Sequence, residues 1–329
     1  MSVVSQTFSP AQSEARQVSP APRLAVLVPC YNEEVTIASV IADFQAALPD
    51  AVIYVYDNNS RDRTMEVARA AGAVVGRENL QGKGNVIRRM FADIEADVYV
   101  LVDGDATYHA PSAPEMIALL LDDRLDMVNG TRITEIEAAY RPGHRLGNLV
   151  LTGIVRTIFG DRIKDMLSGY RVFSRRFVKS FPALSGGFET ETEFTVHALE
   201  LGMPIGELET PYRERPPGSQ SKLNTVRDGI RILLTIVRLV KEERPLQFFS
   251  VSGAVLFVIA VVLGIPLLAE FARTGLVPRF PTAILVTGLV GLAFLSFTCG
   301  LILDSVSRGR TEVKRLAYLS IPLLPLPPR

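Results

Sequence analysis

The chain is poor in the residues that build several common kinds of site. Its 329 residues include only two cysteines, Cys30 and Cys299, and three histidines. Two isolated cysteines give neither a disulfide framework nor a cysteine metal site, and the scattered histidines predict no histidine general base. Lysine plus arginine equals aspartate plus glutamate, at 35 each, so no overall charge attracts nucleic acid and we expect no nucleic-acid partner.

An apolar segment is also missing from the N-terminus. Residues 1–22 are rich in Ser, Pro, Ala and Gln and have no apolar core, so we predict a disordered tail and not a signal peptide. Near the other end, residues 248–269 and 283–303 form two runs without a charged residue. Each run reaches the roughly 20 apolar residues that a helix needs to cross a bilayer. Two such runs joined by a short loop predict a transmembrane hairpin more simply than a buried core hairpin.

The flanking charges predict how this hairpin is oriented. Five basic residues precede the first run within residues 227–244, four follow the second within residues 308–315, and the connecting loop has two. By the positive-inside rule we expect a multi-pass protein of the inner (plasma) membrane with both termini cytoplasmic. Residues 223–244 have apolar residues at helical spacing with Arg and Lys between them, which predicts an amphipathic helix in the membrane interface. The predicted units are therefore the tail at 1–22, a soluble domain at 23–222, the amphipathic helix at 223–244, the two membrane helices within 245–307, and a cytoplasmic tail at 308–329.

The soluble domain has strand patterns that alternate with helical ones. This alternation predicts an α/β fold with a mostly parallel sheet covered on both faces. Ligands of such sheets bind beyond the carboxyl ends of the strands. Three polar motifs stand at predicted strand ends, which predicts a binding site there: "PCYNEE" at 29–34, "DNNS" at 57–60 and "DGD" at 103–105.

The third motif contains two carboxylates, Asp103 and Asp105, directly after a buried strand. Asp105 or Thr107 as a turn or helix cap is one interpretation. A calcium loop does not fit, because its sixth and twelfth positions would be Tyr108 and Pro114 instead of Gly and Glu. A dinucleotide site would need a Gly-rich first loop, and "PCYNEE" is acidic. A Mg²⁺ or Mn²⁺ ion bridging these carboxylates to a nucleotide diphosphate is the interpretation that we favour.

Residues 23 to about 225 resemble the family 2 glycosyltransferases, which have the GT-A fold with a Rossmann-like, mostly parallel sheet. The resemblance is carried by "VPCYNEE", "YDNNSRDRT", "GKGNVIRR" and "VLVDGDATY". "GTR" at 130–132, "SGYRVFSRR", "GFETETEF" and "GSQSKL" are similar to the polyprenyl-phosphate sugar transferases, the dolichyl-phosphate-mannose synthase and GtrB-like group. The two C-terminal apolar runs also match the membrane-bound members of this group.

The resemblance implies roles for individual residues. Asp103 and Asp105 are expected to bind the metal, and Asp105 and Arg132 are the expected catalytic residues. Relatives often have Gln two residues after the second Asp, where this chain has Thr107, so the third metal ligand stays open. The nucleotide-sugar site is expected to include Pro29, Tyr31, Glu33, Asp57, Lys83, Asp103 and Asp105. The lipid-phosphate site is expected to include Arg132, Arg145, Arg171 and Lys222.

The implied reaction moves one sugar from a UDP- or GDP-hexose to a polyprenyl phosphate such as undecaprenyl phosphate, with inversion. A phosphate acceptor is already anionic, so it needs alignment and charge screening more than a general base. The acidic residues 189, 191 and 193 are either a helix start or groups that orient the acceptor or sugar. The "GSQSKL" segment is either a linker or a lid.

Three other activities compete with this interpretation. Transfer to a different lipid, such as diacylglycerol, and a nucleotidyltransferase both stay open. A processive polysaccharide synthase would carry a Gln-x-x-Arg-Trp motif, and the chain has no tryptophan and too few spans for a polymer channel. We expect the bilayer itself to be a partner, with the membrane hairpin as the anchor and as a candidate contact for a homo-oligomer.

Overall fold

A computed structural model describes residues 21–133, 165–187, 189–218 and 225–323. Seven strands form one sheet in the order β3-β2-β1-β4-β6-β5-β7. β6 runs antiparallel to both of its neighbours, β4 and β5, and the other pairs are parallel. The strands are β1 Leu24–Cys30, β2 Val52–Asp57, β3 Val74–Arg77, β4 Val98–Leu101, β5 Met127–Ile133, β6 Arg171–Ser174 and β7 Ile205–Pro211.

Nine α-helices are described around and beyond this sheet within those ranges. They are α1 Ile37–Ala47, α2 Thr64–Ala70, α3 Lys83–Asp93, α4 Ala113–Asp122, α5 Arg175–Ser180, α6 Thr190–Leu201, α7 Thr225–Glu243, α8 Pro245–Thr274 and α9 Phe280–Leu319. A 3₁₀ turn at Ala110–Ser112 precedes α4.

The core has two layers because side chains alternate along each strand. On β1, Val26 and Val28 belong to the cluster that includes residues of α1 and α4. Ala25 and Leu27 belong to the opposite cluster, with residues of α3, α5 and α6. Helices therefore cover both faces of the sheet, as the alternating sequence pattern predicts.

The helices α8 and α9 are long enough and apolar enough to cross a membrane. Their mean hydropathies over the most apolar window are 2.7 and 2.1, and only 11% of each window is buried. A buried core hairpin would hide these side chains, whereas α8 and α9 expose large apolar residues along their lengths. The protein is therefore membrane-associated, and the predicted runs at 248–269 and 283–303 fall within these two helices.

In the structure, the segment predicted as a cytoplasmic tail contacts the α/β domain. Most of it continues α9 as a helix to Leu319, and this helix end contacts the α/β domain. Lys314 Nζ donates to Glu200 Oε2 at 2.7 Å and to Glu243 Oε1 at 3.0 Å. Tyr318 OH donates to Asp126 Oδ2 at 2.7 Å. The sequence pattern gave no sign of this docking because the partners are at least 71 residues away along the chain.

Candidate active site

The loops after β1, β2 and β4 are hydrogen-bonded to one another. The Asn58 amide donates to the carbonyl of Cys30 at 2.9 Å, which joins the loops after β1 and β2. Thr36 Oγ1 donates to the carbonyl of Gly104 at 2.7 Å, which joins the loops after β1 and β4. The structure thus brings the three polar motifs to one edge of the sheet.

Asp57, at the end of β2, has an acceptor atom that lacks a donor. Asp57 is 1% exposed, and its Oδ2 accepts a hydrogen bond from the Ser60 amide at 3.0 Å. Its Oδ1 is buried and has no hydrogen-bond partner among the described residues. A buried carboxylate oxygen without a donor is costly, so this atom is suited to a donor on a ligand. Of the other candidates for this pocket, Glu33 is buried, and Pro29 and Tyr31 are partly exposed at the end of β1.

The two carboxylates after β4 have different environments. The Asp103 side chain is 29% exposed, and its Oδ1 accepts from Lys83 Nζ. Asp105 is 4% exposed; its Oδ1 accepts from the Thr107 hydroxyl at 2.6 Å, and its Oδ2 is paired with Arg215. Burial and the neighbouring Asp103 raise the pKa of Asp105, and Arg215 opposes that rise. Each of the two carboxylates thus has a positive partner of its own.

Lys83 begins α3 and lies between Asp103 and Glu191. Burial alone would lower its pKa, but these two carboxylates raise it above the ordinary lysine value. The glycines on either side explain how the start of α3 reaches this place. Gly82 has φ +129°, and a Cβ there would lie 2.1 Å from the carbonyl oxygen of Gly186. A Cβ on Gly84 would lie 2.2 Å from the carbonyl oxygen of Ser185. The "GKG" sequence is therefore required by close backbone packing.

The donor set suits a hard divalent cation. Within the described part of the chain no group of three or more His, Cys, Asp or Glu residues could hold a metal alone. Mg²⁺ commonly binds through one or two carboxylates together with substrate phosphates, which is what Asp103 and Asp105 offer. A Cβ on Gly169 would lie 2.6 Å from Asp103 Oδ2, so the glycine keeps the space beside this oxygen open. The Thr107 hydroxyl donates to Asp105 and so helps to orient that carboxylate.

Arg132, in β5, is held by a carboxylate that the sequence pattern did not reveal. Its Nε and Nη2 donate to the two oxygens of Asp165 at 2.7 and 2.9 Å. The guanidinium also lies over the ring of Tyr212, 5.5 Å from its centroid. Tyr212 begins the short segment that carries Arg215, the partner of Asp105. The residues involved lie in irregular segments: Asp165, Tyr212 and Arg215. In such segments neither hydrophobic periodicity nor motif spacing indicates the role of a residue.

The prediction that Arg171 binds the lipid phosphate is wrong, because its side chain does not reach the surface. Arg171 is 0% exposed. Its guanidinium donates to the carbonyls of Met166 and Ser168 at 2.6 and 3.1 Å and to the Thr195 hydroxyl at 3.1 Å. Burial lowers the pKa of Arg171 to about 10. Arg171 therefore fixes the loop before β6. The other two predicted phosphate ligands, at 145 and 222, lie outside the described residues.

Residues 25–181 match the Glycosyl transferase family 2 domain. Glycosyltransferase AglJ of Haloferax volcanii is 32% identical over 304 residues, which cover 90% of this chain and 98% of that protein. The chain belongs to glycosyltransferase family 2. The predicted family and the predicted enzyme class are thereby confirmed, and sugar transfer is favoured over the nucleotidyltransferase alternative. The site described above is thus the candidate active site of a glycosyltransferase.

Other proteins are similar to parts of this glycosyltransferase. Protein RfbJ of Shigella flexneri is 56% identical over 123 residues, covering 37% of this chain and 95% of that one. Dolichyl-phosphate hexose transferase of Haloferax volcanii is 30% identical over 221 residues, covering 67% and 95%. A crystal structure of glucosyl-3-phosphoglycerate synthase from Mycobacterium tuberculosis with Mn²⁺, UDP and phosphoglyceric acid has a TM-score of 0.55 at 24% identity, covering 66% and 78%. This likeness and the seven-stranded sheet confirm the predicted GT-A fold.

Proposed function

We propose that this glycosyltransferase moves one hexose, with inversion, from a UDP- or GDP-hexose to a polyprenyl phosphate such as undecaprenyl phosphate. The reaction uses Mg²⁺ or Mn²⁺ at the cytoplasmic face of the inner membrane. The similarity to a dolichyl-phosphate hexose transferase supports a lipid-phosphate acceptor. The solved neighbour that contains Mn²⁺ and UDP supports a divalent metal and a nucleotide donor for this fold.

The donor occupies the edge formed by the loops after β1, β2 and β4. The unpartnered Oδ1 of Asp57 accepts a hydrogen bond from the base or ribose, and Glu33, Pro29 and Tyr31 line the same pocket. Asp103 and Asp105 hold the metal, which when bound offsets the charge that appears on the departing diphosphate. The acidic character of these loops is then balanced by the metal and by the arginine at 215.

One observation carries the acceptor half of the proposal. Arg132 is held by Asp165, and the next residue, Met166, packs in an apolar cluster with Ile236 of α7 and Val196 of α6. Asp165, which orients Arg132, is therefore adjacent in sequence to Met166, which packs against the amphipathic helix α7. Helix α7 leads directly into α8, and it exposes other apolar residues, including Leu233, Leu234 and Val237. Such a helix lies at the headgroup depth of a bilayer, where a lipid phosphate is found.

The chemistry of a phosphate acceptor agrees with the groups present. An oxygen of the lipid phosphate attacks the anomeric carbon, the bond to the nucleoside diphosphate breaks, and that diphosphate leaves with the electron pair. The attacking oxygen carries no proton near neutral pH, so no histidine is needed. Arg132 aligns the phosphate through guanidinium N–H groups that do not face Asp165, and Asp165 keeps that guanidinium in one orientation. Alignment of two anionic reactants is the main task of the site.

The acceptor is tested with the full-length protein in detergent, Mg²⁺ and a panel of UDP- and GDP-sugars. Undecaprenyl phosphate, undecaprenol and diacylglycerol are offered separately, and lipid products are followed by mass spectrometry. We expect product with undecaprenyl phosphate alone, and we expect Arg132→Lys to raise the KM for this lipid more than the KM for the donor. Product with diacylglycerol or undecaprenol in preference to the phosphate would reject the proposed acceptor and establish the alternative lipid.

A further inference from the structure

The side chain of Lys83 is shared between two carboxylates. Its Nζ donates to Asp103 Oδ1 and to Glu191 Oε1, both at 2.5 Å, and the lysine side chain is only 8% exposed. Two protein carboxylates thus share the Lys83 ammonium, and its contact with the nucleotide sugar stays a prediction. Glu191, in the first turn of α6, is 4% exposed, and its Oε2 has no hydrogen-bond partner among the described residues.

The three acidic residues at the start of α6, Glu189, Glu191 and Glu193, make different contacts. Glu193 accepts from the amides of Leu184 and Ser185 at 2.8 Å each, so it stabilises the preceding loop. Glu189 is the N-cap residue, and its side chain accepts no capping hydrogen bond. Among these three, Glu191 is the one that contacts the ion pair at the end of β4. A helix start alone does not account for a buried carboxylate that reaches a lysine on α3.

We propose that Glu191 is a positioning residue that divides the charge of Lys83 and so keeps Asp103 available to the metal and diphosphate. This inference rests on the metal site of the proposed function. A lysine with one carboxylate partner binds that partner tightly and competes with a cation for it. A lysine with two partners holds the orientation of Asp103 through Oδ1 and neutralises it only in part.

The surroundings of Asp103 agree with this division. Lys83 holds Oδ1, and Gly169 lies beside Oδ2, where a Cβ would come within 2.6 Å. Oδ1 is thus held by Lys83, and any side chain at position 169 would crowd Oδ2. The ion pairs here join three carboxylates, Asp103, Asp105 and Glu191, to the two cations Lys83 and Arg215. The excess of carboxylates favours a divalent cation, and removing Glu191 reduces that excess.

The test compares Glu191→Gln with Glu189→Gln. Both variants remove one negative charge from the start of α6, but Glu189 has no ion pair to Lys83. Glutamine can still accept a hydrogen bond from Lys83, so the fold is preserved and a thermal melt checks this. Mn²⁺ binding to the protein is measured directly by electron paramagnetic resonance of free Mn²⁺, with UDP present and without lipid. Metal dependence of sugar transfer is then measured separately.

We expect Glu191→Gln to weaken Mn²⁺ binding about tenfold, as the loss of one charge-assisted contact implies. Transfer at saturating metal should stay within about threefold of wild type, because the reacting groups are intact. Glu189→Gln should bind Mn²⁺ within about twofold of wild type. Glu191→Asp keeps the charge but shortens the side chain by one methylene, so it should also weaken Mn²⁺ binding if contact with Lys83 is what matters.

Several results would overturn the inference. Unchanged Mn²⁺ binding in Glu191→Gln, or equal losses in Glu191→Gln and Glu189→Gln, would show that Glu191 has no specific link to the metal site. Wild-type binding in Glu191→Asp would show that charge alone matters and not the contact with Lys83. Wild-type protein that binds Mn²⁺ with UDP but makes no lipid product would reject the proposed acceptor and leave the role of Glu191 intact. Wild-type protein that transfers sugar without binding Mn²⁺ would reject the role of Glu191 and leave the acceptor intact.

Discussion

Gly169 is the position where the smallest substitution should disturb the metal site most. A methyl group there would lie 2.6 Å from Asp103 Oδ2 and 3.2 Å from Lys83 Nζ. Ordinary van der Waals contact begins at 3.4 Å, so in Gly169→Ala the carboxylate must move by about 0.8 Å or rotate. A misplacement of about 1 Å in a catalytic site can reduce the rate by about 100-fold. We therefore expect kcat/KM for sugar transfer to fall by about 10- to 100-fold.

The stability of Gly169→Ala should change much less than its activity. Asp103 is partly exposed and can swing toward solvent, so we expect a destabilisation of about 1 kcal/mol, seen as a small fall in Tm in detergent. Gly309→Ala is the matched control, since no heavy atom lies within 4 Å of a Cβ at that position in α9. The control should have wild-type activity and equal or slightly higher stability, because Ala favours a helix over Gly by about 1 kcal/mol.

The assay measures initial rates of sugar transfer against Mg²⁺ concentration for wild type, Gly169→Ala and Gly309→Ala. We expect a raised metal requirement together with a reduced rate in Gly169→Ala alone. Wild-type rates and wild-type metal dependence in Gly169→Ala would refute the claim that Asp103 must keep its present position. A large fall in Tm would instead show that the substitution acts on folding, which contradicts the small destabilisation expected here.

Three further predictions concern stability. Lys314→Met leaves Glu200 and Glu243 without their shared cation, so we expect a loss of about 2 kcal/mol in thermal or denaturant unfolding. Burial lowers the pKa of His197 from 6.5 to about 4, so the stability that its neutral form contributes at pH 7 is lost as the pH falls through this window. Melts at pH 7 and 4 should show up to about 3 kcal/mol more acid destabilisation in wild type than in His197→Gln. Arg171→Lys cannot reach three acceptors at once, so we expect it to lower Tm by an amount that corresponds to about 2 kcal/mol and to leave the KM for the lipid unchanged.

The regular part of the fold could be predicted from the sequence because its signals are local. The buried runs of β1, β2 and β4 are near-continuous apolar segments, and each is followed by a polar motif. The parallel topology then requires these motifs to meet at one edge. β6 was not predicted because "RVFS" is four residues long and begins with a buried arginine. Burial of that arginine depends on the carbonyls of a loop and on α6, and a sequence pattern cannot reveal such partners.

The ion-pair partners of the predicted site residues could not be predicted from the sequence. Asp105 pairs with an arginine 110 residues away, and Lys83 pairs with a glutamate 108 residues away. Neither pairing leaves a trace in local spacing, because the partners meet only when distant segments of the chain pack together. The same reason explains why Arg132 could be identified from its motif, whereas Asp165, which orients it, could not. Sequence motifs thus indicated the groups of the site but not how their charges are balanced.

The central claim is metal-dependent transfer of one sugar to a lipid phosphate, and mass spectrometry of the lipid tests it most directly. Wild-type protein and Asp105→Asn are each incubated with undecaprenyl phosphate and the donor panel, with Mg²⁺ or with EDTA. We expect the lipid to gain the mass of one hexose in the wild-type reaction with Mg²⁺, and we expect this product to be lost with EDTA and in Asp105→Asn. An undecaprenyl phosphate that stays unmodified with every donor, or a product that forms equally well in EDTA, would contradict this claim.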